Sequence, residues 1–387
     1  MKLRIAAAIA CVVACSATTP AGTIASSQDA TRNIVDRTVR PLMQRYDIPG
    51  MAVGVTAGTN RYVFNFGAAA KTPRKAVDDQ TLFELGSISK TFTATLAAYA
   101  QVRGDLSLSD TVAAHIPALR ATKFGSVTLL SLGTHTPGGV PLQVPDAVHD
   151  DGDLMRYLAT WRPTYAERTY RTYSNVSIGM LGVVTAASMQ AKFETLIQDQ
   201  LLPALGMHDT YINLPQDRAA HYAEGYTSGG APVRMTRGVL SSEAYGLLST
   251  AADLLTFLDE NMTPTAVSRP LQRALIATHT GYFKAGPMTQ DFIWEQYAYP
   301  VTLAALHAGN AATMIFDPHP VTAIKPPERP RADVWINKTG STNGFGEYVA
   351  FIPEKHLGIV ILANKNYPID ARVTAAYQIL TALAGNH

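Results

Sequence analysis

Cysteine is nearly missing from this 387-residue chain: there are two, Cys11 and Cys15, both close to its start. Downstream of them no disulfide can form and no thiol can act as a nucleophile. Histidine occurs ten times but never in an HxH or HxxxH pair, so no zinc site is signalled. Neither sign of charge is in surplus, with 32 Lys and Arg against 30 Asp and Glu and no charge runs. That balance argues against nucleic acid or an anionic membrane as a partner. Beyond the first 25 residues nothing reaches the roughly 18 apolar residues of a transmembrane segment. Internal repeats and long low-complexity tracts are absent too.

What is present first is a leader. Lys2 and Arg4 precede an apolar run at residues 5–15 and small residues at 16–25. This is the pattern of a secretory signal, too short to span a bilayer, with cleavage expected near Ala21 or Ala25. Residues 1–25 are therefore set apart from a unit at 26–387. Val12, Val13, Ala14 and Cys15 also satisfy the short pattern for lipid attachment, so anchoring at Cys15 is the lesser alternative. The leader holds two basic and no acidic residues, which leaves the remainder evenly balanced in charge.

With 47% hydrophobic and 16% charged residues, the chain has ample apolar material for a large core. Residues 51–68 alternate as two strands around Gly58, Thr59 and Asn60, and a long helix follows. Residues 105–225 read as helical and loop-rich. Apolar helical spacing recurs at Val176, Ile178, Leu181 and Val184, and again at Phe193, Leu196, Ile197 and Leu201, with Pro203 ending the second helix. Near the end, residues 347–352 and 357–362 form a hairpin, and a closing helix covers 372–383. Five prolines in residues 316–332 predict a long surface loop or cleft rim. The expected fold is α+β. An antiparallel sheet flanked by helices is built from both chain ends (about 26–105 and 225–387), and a mostly helical region (about 106–224) is inserted between them, with the active site in the cleft.

The residues that carry chemistry begin in FELGSISKTF. Ile88, Phe92, Leu96 and Tyr99 form one buried helical stripe, which sets Ser87 and Lys90 off that stripe on an unburied face. Three apart, their side chains are neighbours, and the helix's positive end favours a developing oxyanion. That suits an activated serine, although a chain this long carries about one SxxK by chance. Two segments, Tyr173 to Asn175 and Tyr211 to Asn213, match tyrosine, any residue, asparagine. The second has strand or turn character and reads as structural; the first leads into a helix from a loop and is the candidate. Lys338, Thr339 and Gly340 follow a strand expected at 333–337, where small residues let a substrate approach the backbone while lysine and threonine hold a carboxylate.

In this order the sequence resembles the class C serine β-lactamases, secreted cephalosporinases of the penicillin-binding-protein fold. FELGSISKTF, RTYSNVSIGMLG and NKTGSTNGFGEYVAFIPEKHLGIVILANKNYP carry the resemblance, supported by DIPGMAVGV, GGVPLQ and EAYG, over roughly residues 40–380. The resemblance implies a nucleophile at Ser87 with Lys90, a proton-shuttling Tyr173, and Lys338 and Thr339 at the substrate carboxylate. It further implies an oxyanion hole from the N–H groups of Ser87 and Ser341. Gln143 and Asn175 would stand at the substrate amide, Tyr245 in the cleft wall, and Asn366 and Arg372 at the carboxylate. The implied enzyme is a periplasmic monomer acting on small β-lactams, with no cofactor, no metal and no nucleic-acid partner.

Three positions depart from the family pattern. Ile369 stands where asparagine is common, Leu248 where lysine is common, and His135, in GTHTPGG, where tyrosine is common; His135 reads as a structural or cleft-edge residue. These bear on substrate spectrum rather than on the reaction. Two other functions share the motifs: a D-alanyl-D-alanine peptidase or esterase, and a penicillin-binding sensor that stays acylated.

Overall fold

The computed structural model describes residues 21–385, with side chains from residue 27 onward. The expected leader, through residue 20 and including Cys11 and Cys15, lies outside the described residues. In chain order the elements that matter are α1 (Ala21–Tyr46), β1 (Gly50–Ala57), β2 (Asn60–Lys71), β3 (Arg74–Ala76), α2 (Ser89–Arg103) and α3 (Asn175–Ser188). They are followed by α4 (Ala251–Met262), α5 (Arg269–Ala277), β4 (Gly281–Ala285), β5 (Met288–Gln290), β6 (Glu295–Ala298) and β7 (Thr322–Glu328). The chain closes with β8 (Val334–Ser341), β9 (Gly346–Ile352), β10 (Leu357–Ala363) and α6 (Ile369–Ala384).

Ten strands form one sheet in the order β7-β4-β5-β6-β8-β9-β10-β1-β2-β3, every pair antiparallel. The two chain ends meet where Met51 of β1 pairs with Ala363 of β10. Alternate residues serve opposite faces, as the two-residue period of a strand requires. Tyr348, Ala350, Ile359 and Ile361 pack with Val35 and Val39 of α1 and with Val373 and Ile379 of α6. Val349, Phe351, Val360 and Leu362 pack instead with Phe92 of α2, Leu254 and Phe257 of α4, and Leu271 of α5. Both faces of the central strands are covered, so β1 is buried along its whole length. Among the described residues no single helix is long and apolar enough to cross a membrane.

Helix α2 lies between two cores. Phe92 and Leu96 belong to the sheet-side cluster, while Ala94, Ala97 and Ala100 belong to a third cluster with Leu129, Leu154 and α3 residues such as Val176 and Leu181. This corrects the expectation of an unburied face: Lys90 is 0% exposed. A one-stripe reading fails for a helix whose small residues form a second packing face. The chain around Ser87 is also tighter than an α-helical start, because Ser87 sits in a 3-10 turn, Gly86–Ile88, and α2 proper begins at Ser89.

The proline-rich segment is a second correction, since Thr322–Glu328 within it form an edge strand rather than loop. β7 pairs with β4 only on one side, and the register jumps between the Phe283–Ala323 and Gly281–Glu328 pairs. Pro326 and Pro327 fall in that irregularity, where no ladder donor is needed. The helix expected to stop at Pro203 ends one residue beyond it, at Ala204, after a π-helical turn at Leu196–Leu201. The closing helix starts at Ile369 and β8 runs on through Ser341, each extending past its predicted limits.

The serine turn is pressed against β8. A Cβ on Gly340 would stand 2.2 Å from the carbonyl oxygen of Leu85, and one on Gly86, whose φ is +50°, would stand 2.5 Å from that of Ser341. Backbone faces backbone there, so neither neighbour can yield by changing rotamer. Gly340→Ala is therefore expected to lower the unfolding free energy by about 1–3 kcal/mol, read by denaturant unfolding; an unchanged midpoint and slope would contradict this packing.

Candidate active site

Ser87 and Lys90 meet as their spacing requires. Lys90 Nζ donates to Ser87 Oγ at 2.8 Å and to the carbonyl oxygen of Ala244 at 2.8 Å. Ser89, the neighbouring serine, turns away to accept from Leu247 N at 3.2 Å. Burial lowers the Lys90 pKa to about 8; Tyr173 opposes that shift and the Lys338 charge adds to it.

Tyr173 is only 7% exposed, and three cations surround its ring: Lys338 Nζ at 5.1 Å from the centroid, Lys90 Nζ at 5.3 Å and the Arg171 guanidinium at 5.3 Å. Burial alone would raise its pKa, but the charges of Lys338 and Lys90, with Ser87 beside it, prevail and bring it down to about 8. The cations are held from beneath. Arg171 donates to Gln290 Oε1 at 2.6 Å, Met314 O at 2.6 Å and Glu295 Oε1 at 3.2 Å, and Lys338 pairs with Glu295 at 3.7 Å. Burial of like charges this close requires such partners. His135 packs against it, its ring centroid 4.4 Å from that of Tyr173.

Above this floor opens a cleft of about 760 Å³, lined at its base by Ser87, Tyr173, Thr339 and Ser341. β6 pairs with β8 no further than Asn337, so residues 338–341 keep one strand edge free of a neighbouring strand. On one side of the cleft Asn175 donates through Nδ2 to Gln143 Oε1 at 2.8 Å, and Asn175 Oδ1 has no partner. Tyr245 stands nearby. At the other end Arg372 is wholly buried and donates to Gly340 O at 2.5 Å, Asn366 Oδ1 at 2.7 Å and Ser341 Oγ at 2.9 Å. Asn366 and Ser341 therefore carry its influence into the cleft, where Ile369, Ile315 and Phe316 supply an apolar lip.

Such an arrangement is chemically able to activate a serine and to carry its proton. A beta-lactamase family model matches residues 35–384. The chain belongs to the beta-lactamase family. A beta-lactamase of Pseudomonas fluorescens is 47% identical over 352 residues, covering 91% of this chain and 98% of its own length. The beta-lactamase of Escherichia coli K12 is 43% identical, covering 91% and 93%. A class C beta-lactamase solved in complex with cefoxitin is 48% identical with a TM-score of 0.90, covering 92% of this chain and 99% of that one. A D-alanine carboxypeptidase AmpC from Burkholderia cenocepacia is 55% identical with a TM-score of 0.88, at 92% and 99% coverage. The mixed α/β fold is thus that of the class C beta-lactamases.

Ser87, Gln143, Tyr173, Asn175 and Tyr245 all reach the one cleft, as do Thr339, Ser341, Asn366 and Arg372, while Lys90 and Lys338 lie just under it. Tyr211 lies apart, its hydroxyl donating to His208 O at 2.9 Å. Sequence reasoning missed Arg171 and Glu295. Their pairing spans 124 residues, and an isolated arginine two before a tyrosine carries no local signal. Because Lys338 is the largest influence favouring the Tyr173 phenolate, Lys338→Met should raise the Tyr173 titration midpoint from about 8 toward the ordinary tyrosine value. Carbon NMR of ring-labelled tyrosine, assigned with Tyr173→Phe, reads it; no upward shift would refute the electrostatic account.

Proposed function

We propose that the protein hydrolyses the β-lactam ring of antibiotics, favouring cephalosporins, through a covalent acyl-serine intermediate. The observation that carries this reading is Ser87 Oγ 2.8 Å from Lys90 Nζ, beside a Tyr173 whose phenol is brought to about 8. Ser87 Oγ attacks the lactam carbonyl and its proton passes to the Lys90 and Tyr173 pair. These two titrate together, so the proton belongs to the pair rather than to either member. The backbone N–H groups of Ser87 and Ser341 receive the oxyanion, helped by the amino end of α2. The carbon–nitrogen bond then breaks, and the pair returns the proton to the ring nitrogen. Water, losing its proton to the same pair, attacks the ester, and Ser87 leaves with a proton restored.

Substrate is held at both ends of the cleft. Asn175, kept in place by Gln143, offers its free Oδ1 to the substrate amide N–H, and Tyr245 flanks that side. Lys338, Thr339, Ser341 and Asn366, the last two backed by Arg372, provide the positive end for the substrate carboxylate. Export to the periplasm through the leader places the enzyme where β-lactams arrive, with the helical region and the sheet region as the two halves of one catalytic unit.

A second reading, D-alanine carboxypeptidase, is favoured by the description of the Burkholderia cenocepacia neighbour and of one from Pseudomonas syringae as a beta-lactamase/D-alanine carboxypeptidase. Both reactions use the same acyl-serine and differ in the acyl group that water must release. A chromogenic cephalosporin decides: rapid multiple turnover is expected, whereas stoichiometric acylation without release, followed by mass spectrometry, would overturn the reading. Ser87→Ala is expected to show no covalent adduct. Tyr173→Phe should lose about 10²–10⁴-fold in turnover, with Tyr211→Phe within about twofold of the unmodified enzyme; equal losses would mean that the wrong tyrosine is assigned. A proton acceptor must be empty to act, so kcat/KM should fall as pH drops below about 8; a profile flat from pH about 6 to 8 would contradict it.

A further inference from the structure

His135 brackets Tyr173. Its carbonyl oxygen accepts from Thr172 N at 2.8 Å, and its Nδ1 accepts from Ser174 N at 3.2 Å, so the residues on both sides of Tyr173 are fastened to it. Its ring lies 4.4 Å from the phenol ring, tilted by 43°. The side chain is 1% exposed, and its backbone adopts φ +58°, a conformation that histidine and asparagine tolerate better than most residues. With Nδ1 accepting, the ring proton resides on Nε2, which has no partner.

We propose that His135 is a positioning residue for Tyr173, its backbone and Nδ1 fixing the segment on either side while its ring holds the phenol between Lys90 and Lys338. The inference rests on the reading of Tyr173 as a proton carrier for Ser87. The groups facing Tyr173 are Lys90 from α2, Lys338 from β8, Glu295 from β6, Arg171 from its own segment, and Ser87. Among so many cations, a residue that fills this space must itself stay neutral. Burial, with the charges of Arg171, Lys90 and Lys338, holds His135 well below the usual histidine range, so it packs without adding a charge. Coulomb attraction falls with distance, and a phenol free to swing away from Lys90 and Lys338 would lose the influence that favours its phenolate.

Two variants divide the contacts. His135→Asn keeps a short acceptor for Ser174 N and suits the positive φ, but removes the ring. His135→Phe keeps a ring and removes the acceptor. The Tyr173 midpoint, read in the resting enzyme by carbon NMR of ring-labelled tyrosine, is expected to rise by about half a unit to one unit in at least one variant. The acid limb of kcat/KM should move up with it while KM changes less than kcat. A residue that serves stability alone would lower the melting temperature and leave both midpoints in place. An upward shift in either variant supports the proposal, and no upward shift in both overturns it. The NMR titration needs no substrate, so its outcome stands apart from that of the cephalosporin assay, whose failure would overturn the functional reading instead.

Discussion

The structure turns on the concentration of positive charge around one buried phenol. Lys90, Lys338 and Arg171 approach Tyr173 from three directions, and none of them is open to bulk water. Charges of one sign so enclosed repel, and each would shed its proton or its position without a fixed partner. Glu295 answers two of them, Ala244 O answers Lys90, and Gln290 and Met314 O complete Arg171. The site is thus a balanced cluster in which a tyrosine, ordinarily a weak acid, stands near the point of ionisation.

That cluster explains why the sheet and the helical region are built around α2 as they are. The helix must hold Lys90 out of water, which requires apolar neighbours on both sides, and its small residues allow two cores to close on it. It must also hold Ser87 at a cleft, which the 3-10 turn and the tight Gly86 and Gly340 contact with β8 achieve. β6 stops pairing where β8 reaches the cleft floor, and the same strand contributes Glu295 at that point, opposite Asn337. The strand end that leaves the β8 edge open to the cleft thereby supplies the counter-charge beneath it.

Much of this was legible in the sequence. The α+β organisation followed from strand periodicity at the two ends and helical spacing between them, and the motif residues meet at one cleft because each follows a local signal: a serine three before a lysine, a tyrosine at a helix entrance, a lysine in a strand before glycine. What escaped had no local signal. Arg171 and Glu295 are defined by each other across the fold, and His135 matters through its contacts on either side of Tyr173, which GTHTPGG alone does not disclose. The buried state of Lys90 was hidden because alanines and threonines do not read as an apolar stripe. The proline-rich segment misled because proline excludes a central strand but not an irregular edge.

The Arg372 end of the cleft follows the same logic of charge supplied from below. Arg372 is buried at the cleft wall, where it donates to Gly340 O, Ser341 Oγ, Asn366 Oδ1 and Tyr367 O and so orients the two side chains that stand beside it in the cleft. Ile369 adds no hydrogen-bonding side chain to the rim. With Ile315 and the 71%-exposed Phe316 it makes that rim apolar. A less polar rim raises the strength of the field that Lys338 and Arg372 present to an anion, because fewer water dipoles screen it.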